Sequence, residues 1–163
     1  MRRIISVLLE NESGALSRVI GLFAQRGYNI ETLTVAPTDD DTLSRLTLTT
    51  IASDEQSEQI IKQLNKLIEV VRLVDLTDGE YVERELMLIK VKVTGSQRAE
   101  IKRTSDIFRG QIVDVSAANY TIQLTGTSGK LDAFVNAISE FTVTEVVRSG
   151  VSGLSRGEKA LAL

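Results

Sequence analysis

The chain has 163 residues, a formal net charge of −3, 42% hydrophobic and 4% aromatic residues, and neither histidine nor cysteine. Without histidine the usual acid–base group near neutral pH is missing, and without cysteine so are thiol nucleophiles, disulfides and thiolate zinc sites. The acidic balance argues against nucleic-acid phosphate as the main partner, and no apolar run reaches membrane-spanning length. A cytoplasmic protein of one domain or two small ones is therefore expected.

Residues 2–9 alternate as a strand, with Ile5, Val7 and Leu9 on one face. Residues 14–26 follow as a helix, with Leu16, Val19, Ile20 and Phe23 on one stripe, Ser13 as its cap and Gly27 as its stop. Strands at 28–36 and 43–51 come next, joined by Asp39-Asp40-Asp41. Three adjacent acids cannot readily converge on one cation, so a solvated hairpin turn is the expectation there. Ser53-Asp54-Glu55-Gln56 reads as a capping box opening a helix whose Ile60, Ile61, Leu64, Leu67 and Ile68 face inward. A fourth strand at 70–76 closes the unit.

The second half repeats this order. A long strand at 82–94 has Met87, Ile89, Val91 and Val93 between Leu86, Leu88, Lys90 and Lys92. A helix at 97–109, strands at 111–116 and 119–125, a helix at 129–139 and a strand at 142–148 complete it. Gly126-Thr127-Ser128-Gly129-Lys130 lacks phosphate-loop spacing, so Thr127 or Ser128 reads as a helix cap. Each half is thus βαββαβ, and the fold class is α+β: two tandem ferredoxin-like domains, at 1–77 and 78–163, joined at Thr77-Asp78-Gly79-Glu80. The tail from Gly150 onward is expected to order only against another surface.

The segment Asn11-x-x-Gly14-x-Leu16 carries the chemistry. It sets an amide side chain, a glycine and the unpaired first amides of a helix at one point, where the helix dipole is positive. Such an end attracts a carboxylate, and suits a receptor for a small anion or zwitterion better than a catalytic centre. By itself the segment is equally an ordinary helix-start glycine with a loop-capping asparagine.

Longer segments decide between these. Arg3 to Leu16, the run 24–30, Glu83-Arg84-Glu85-Leu86, the runs 107–114 and 126–132, and the ending 148–157 resemble the small regulatory subunit of acetohydroxyacid (acetolactate) synthase, whose first unit is an ACT domain. The resemblance implies a chain that is not itself an enzyme and has no catalytic or metal-ligating residues of its own. It implies a catalytic large subunit carrying thiamin diphosphate, magnesium and usually FAD. The small subunit would activate that partner and confer feedback inhibition by L-valine in branched-chain amino-acid biosynthesis. The effector site would lie between two ACT domains of a homodimer. Asn11, Gly14, Ala15 and Leu16 would come from one chain, and Asn29, in the strand after Gly27, from the other, with Ile30 and Leu33 lining the pocket.

The second half has no equivalent of Asn11-x-x-Gly14-x-Leu16, so effector binding is expected in the first half alone. A free-standing ACT-type amino-acid sensor acting on a different enzyme or regulator is the alternative, motivated by the first half alone. A small carboxylate enzyme on the same scaffold is disfavoured by the lack of histidine and of a convergent acid pair. An RNA-binding sheet would need exposed strand aromatics and basic charge, which are missing.

Overall fold

The computed structural model describes residues 1–163. In chain order the elements are β1 (Arg2–Glu10), α1 (Ala15–Gln25), β2 (Thr32–Pro37), β3 (Leu43–Ile51), α2 (Asp54–Asn65), β4 (Val70–Asp75), a single 3-10 turn (Leu76–Asp78), and β5 (Tyr81–Lys92). There follow α3 (Gln97–Ile107), β6 (Gln111–Val115), β7 (Asn119–Gly126), α4 (Ser128–Ala137), β8 (Thr142–Arg148) and β9 (Ser152–Ser155). The chain divides into two compact units, Met1–Glu83 together with Val151–Leu163, and Arg84–Gly150.

The first unit is an antiparallel sheet in the order β2-β3-β1-β4. Alternation along β1 sends Ile5, Val7 and Leu9 to the helical face, where they meet Leu46 and Leu48 of β3, Val19 and Phe23 of α1, and Ile60 and Leu64 of α2. Burying an aliphatic or aromatic side chain of this size contributes roughly 1.5–3 kcal/mol, so this layer is the main source of the unit's stability. The capping box at Ser53 forms as expected: Gln56 N–H donates to Ser53 Oγ at 3.1 Å, and Ser53 N–H to Gln56 Oε1 at 2.9 Å. Gly27, at φ 70°, terminates α1; Tyr28 N–H reaches the Phe23 carbonyl at 3.0 Å, and the two rings meet edge to face. Asp40 holds the acidic turn by accepting from Thr42 N–H at 2.9 Å.

Three expectations are corrected here. Gly14, not Ser13, is the residue capping α1. The inward stripe of α1 is Ala15, Val19 and Phe23, leaving Leu16 and Ile20 exposed at its margin: Val19 and Phe23 are shared with the expected stripe, and the buried face is centred toward Ala15. Ile68 lies beyond the end of α2 and is 89% exposed.

The tail corrects a fourth. Val151 joins Ile4 and Leu76 in a small core on the sheet face opposite the helices, with Val74 and Tyr81 packed against it. β9 pairs with β5, and Gly153 sits so close to Leu76 and Val82 that a Cβ there would come within 3.0 Å of Leu76 Cδ1. Arg45 donates to the Gly153 carbonyl at 2.9 Å. β1 is consequently buried from Arg3 to Leu9, on both faces. The tail therefore belongs to the first unit rather than the second, and the boundary falls after Glu83. The expected linker is tied down as well, since Arg3 donates to Asp78 at 2.8 Å and to Asp75 at 3.4 Å and also pairs with Asp54.

The second unit has its own antiparallel sheet in the order β6-β7-β5-β8. Met87, Ile89, Val91 and Val93 of β5 form the core with Ile122 and Leu124, beneath Ile101 of α3 and Leu131, Phe134 and Ile138 around α4. Thr127 caps α4 by accepting from Lys130 N–H at 3.2 Å. Glu85 is buried and held twice by Arg148, at 3.0 and 3.1 Å, with Ser128 donating to it at 3.2 Å.

Candidate functional site

The junction of β1 and α1 is built by the chain leaving the sheet at Glu10. Asn11 N–H donates to the Thr42 carbonyl at 2.8 Å and Asn11 Nδ2 to the Asp41 carbonyl at 2.9 Å, fixing the loop against the β2–β3 turn. With its amide nitrogen occupied, Asn11 presents Oδ1 as an open acceptor. Gly14 follows at φ 89°, a left-handed conformation that glycine adopts without a Cβ penalty. Nothing lies within 4 Å of where its Cβ would be, and no side chain caps the helix. The first-turn amides of α1 are thus approachable by a ligand. Ala15 N–H is engaged by the Glu12 carbonyl at 3.4 Å, and the Ala15 methyl is buried.

Two carboxylates flank the same loop. Glu10 is pushed above the ordinary carboxylate range by a hydrogen bond with Glu12 and then by that neighbour's charge. The pair supplies acceptors at the rim of a helix start that itself favours anions.

Asn29 lies elsewhere. It belongs to the connection before β2, not to a strand, because β2 begins only at Thr32; its carbonyl accepts from Thr50 Oγ1 at 2.6 Å and its side chain is exposed. The whole of α1, 11 residues, separates it from Gly14. At 1.5 Å per residue that is about 16 Å, beyond the reach of one small ligand. Ile30 and Leu33 pack at the margin of the first unit's core. The structure therefore brings Asn11, Gly14, Ala15 and Leu16 together, and leaves Asn29, Ile30 and Leu33 at or beyond the other end of the helix.

Two further residues share this margin and were not foreseen. Ile20 of α1 is 41% exposed and Val35 of β2 is 38% exposed, alongside Leu16 at 36%. The alternation of Leu33 and Val35 along one strand was the available signal. The strand itself is distinctive. The pairings β1–β4, β5–β8 and β6–β7 each contain a register shift, whereas β2–β3 runs unbroken from Thr32 opposite Thr49 to Pro37 opposite Ser44. β2 also carries no charged residue. Among β2, β4, β6 and β8, the strands that end the two sheet orders, β2 alone has neither a register shift nor a charge to blunt its free edge.

These features define a tandem ferredoxin-like protein whose first unit presents an open, glycine-capped helix start. Residues 5–72 match the family model "AHAS small subunit-like ACT domain", and residues 84–157 match "Small subunit of acetolactate synthase". The chain is 62% identical to the acetolactate synthase isozyme 3 small subunit of Escherichia coli K12, over 99% of each chain. It is 61% identical to the acetolactate synthase small subunit of Haemophilus influenzae, over 98% of each. A crystal structure of the acetolactate synthase small subunit from Thermotoga maritima superposes with a TM-score of 0.88 at 37% identity, covering 98% of this chain and 99% of that one. The chain belongs to the acetolactate synthase small-subunit family. No helix is long and apolar enough to cross a membrane.

Proposed function

We propose that the chain, as a homodimer in the cytoplasm, activates an acetolactate synthase catalytic subunit and makes it sensitive to feedback inhibition by L-valine. Thiamin diphosphate, magnesium and FAD would reside on that partner. The observation that carries the reading is the separation of Gly14 and Asn29 by the full length of α1. Two chains joined antiparallel along the unbulged, uncharged β2 edge would place the helix start of one near the Asn29 loop of the other. The valine carboxylate would then take the first-turn amides of α1, and Asn11 Oδ1 or Asn29 Oδ1 would accept from its ammonium.

The isopropyl group would be covered by Leu16, Ile30 and Leu33, contributing roughly 1.5–3 kcal/mol. One methylene separates isoleucine from valine, which limits discrimination to about 1–3 kcal/mol. Inhibition further requires that valine bind one state of the assembly better than another, since equal affinity for both would shift nothing.

Calorimetric titration of L-valine into the purified chain, with Gly14→Asp beside it, tests this reading. Saturable heat with the natural chain and none with the variant is expected. The added carboxylate would sit on the same amides as the ligand's; because Gly14 lies at φ 89°, Gly14→Ala, which carries the same backbone strain without the charge, is the control and should still bind. Equal binding by the natural chain and Gly14→Asp would remove the site from Gly14.

A further inference from the structure

We propose that the free edge of β4, opposite the β2 edge, is the seat of an extended, acidic segment of the catalytic subunit. This rests on the reading of the chain as a subunit of such an assembly. β4 is the outermost strand of the first sheet, so its outward backbone N–H and C=O groups have no strand partner. From Arg72 to Asp75 it runs in unbroken register with β1. Beside it lie two adjoining cavities of about 500 and 340 Å3 that share Asn65, Leu73, Val74, Ser155 and Lys159. The walls are thus the last turn of α2 on one side and the ordered tail on the other, with Leu161 adding apolar surface.

An open strand edge between two walls binds an extended chain through main-chain hydrogen bonds, and the walls select alternate side chains. Charge selects further. Arg72 and Lys159 both line the larger cavity with no carboxylate partner within the chain, whereas in the smaller one Asp75 and Asp78 are engaged by Arg3 and Glu80 alone is left, one unpaired acid against two unpaired cations. The unsatisfied charge of the groove is therefore positive, and its occupant carries an acid near Arg72. In a symmetric pairing of two β4 edges a second copy would bring its own Arg72 and Lys159 rather than that acid, which favours a different chain as the partner.

The test uses the full chain with the large subunit of its synthase, combining hydrogen exchange with affinity measurement. Slowed exchange at the amides of residues 72–74 on complex formation is expected, with at least roughly tenfold weaker association for Arg72→Glu/Lys159→Glu. The charge-conserving pair Arg72→Lys/Lys159→Arg should restore association, and valine binding by the isolated reversal variant should be unchanged. A complex that forms with β4 unprotected and with the reversal variant at full affinity overturns this proposal and leaves the partnership standing. Absence of any complex overturns both. Protection of β4 that rises with the concentration of this chain alone assigns the groove to a second copy and overturns the proposal.

Discussion

Arg3 and Glu85 occupy the same place in their respective units and carry opposite charge. Each stands two residues before the position on its first strand, Ile5 or Met87, that pairs with a charged residue of the last strand. That last-strand residue is Asp75 in one unit and Arg148 in the other, and each couple forms an ion pair. The repeat thus keeps a clamp between first and last strands while inverting its polarity. A first strand docked in the wrong unit would set Arg3 against Arg148, or Glu85 against Asp75, and like charges at a buried site disfavour the exchange.

The clamps differ in which partner is buried, and substitution should reveal it. The side chains of Arg3 and Asp75 are 7% and 2% exposed, so Arg3→Ala leaves a buried carboxylate without its counter-charge, held only by Ser57 and Thr77. A loss of about 3–5 kcal/mol in denaturant unfolding is expected. In the second unit the Glu85 side chain is 2% exposed and that of Arg148 is 31% exposed. Arg148→Ala should therefore cost more than Glu85→Ala, since the released arginine keeps water and Asp132 while the released glutamate keeps only Ser128. Equal losses would contradict this account of the clamp.

Helix ends give a second contrast. α1 is stopped by Gly27 at φ 70°, and α3 by Arg109 at φ 59° in the same left-handed cap, with Gly110 N–H reaching the Ser105 carbonyl at 2.7 Å. A non-glycine residue there costs about 1–2 kcal/mol, part of which is offset by its lower freedom in the unfolded chain. Arg109→Gly should raise stability by up to about 1 kcal/mol and Gly27→Ala should lower it by about 1 kcal/mol, as thermal melts would read.

The β2 edge should govern assembly. Val35→Lys places a charge on an edge strand that lacks both charge and bulge, the device by which natural edges avoid pairing. Analytical ultracentrifugation should show a dimer for the natural chain and a monomer for the variant at micromolar concentration. A variant that stays dimeric would move the interface elsewhere.

Much of this was legible in the residues. Strand alternation at Ile5, Val7 and Leu9, the capping box at Ser53 and the glycine stop at Gly27 are local signals, and local geometry honours them. What escaped is non-local. Val151 and Gly153 carry no motif that says they will cover Ile4 and Leu76, because that contact joins chain positions far apart. The stripe of α1 was misassigned for a related reason. Leu16 and Ile20 fit the helical period as well as Ala15 does, and only the packing of Val19 and Phe23 on the sheet decides which flank turns inward. At the start of α1 the glycine and the asparagine stand out in the sequence, whereas the distance between Gly14 and Asn29 required the helix to be seen in place.

That distance makes the composite site directly testable by mixing. Gly14→Asp and Asn29→Ala chains, each unable to bind L-valine as homodimers, are unfolded together, refolded and titrated with valine. If each site takes Gly14 from one chain and Asn29 from the other, a mixed dimer holds one doubly altered site and one intact site. An equal mixture should then recover about one quarter of the natural binding capacity at natural affinity. No recovery from verified mixed dimers would mean that both residues act within a single chain, and would contradict the account.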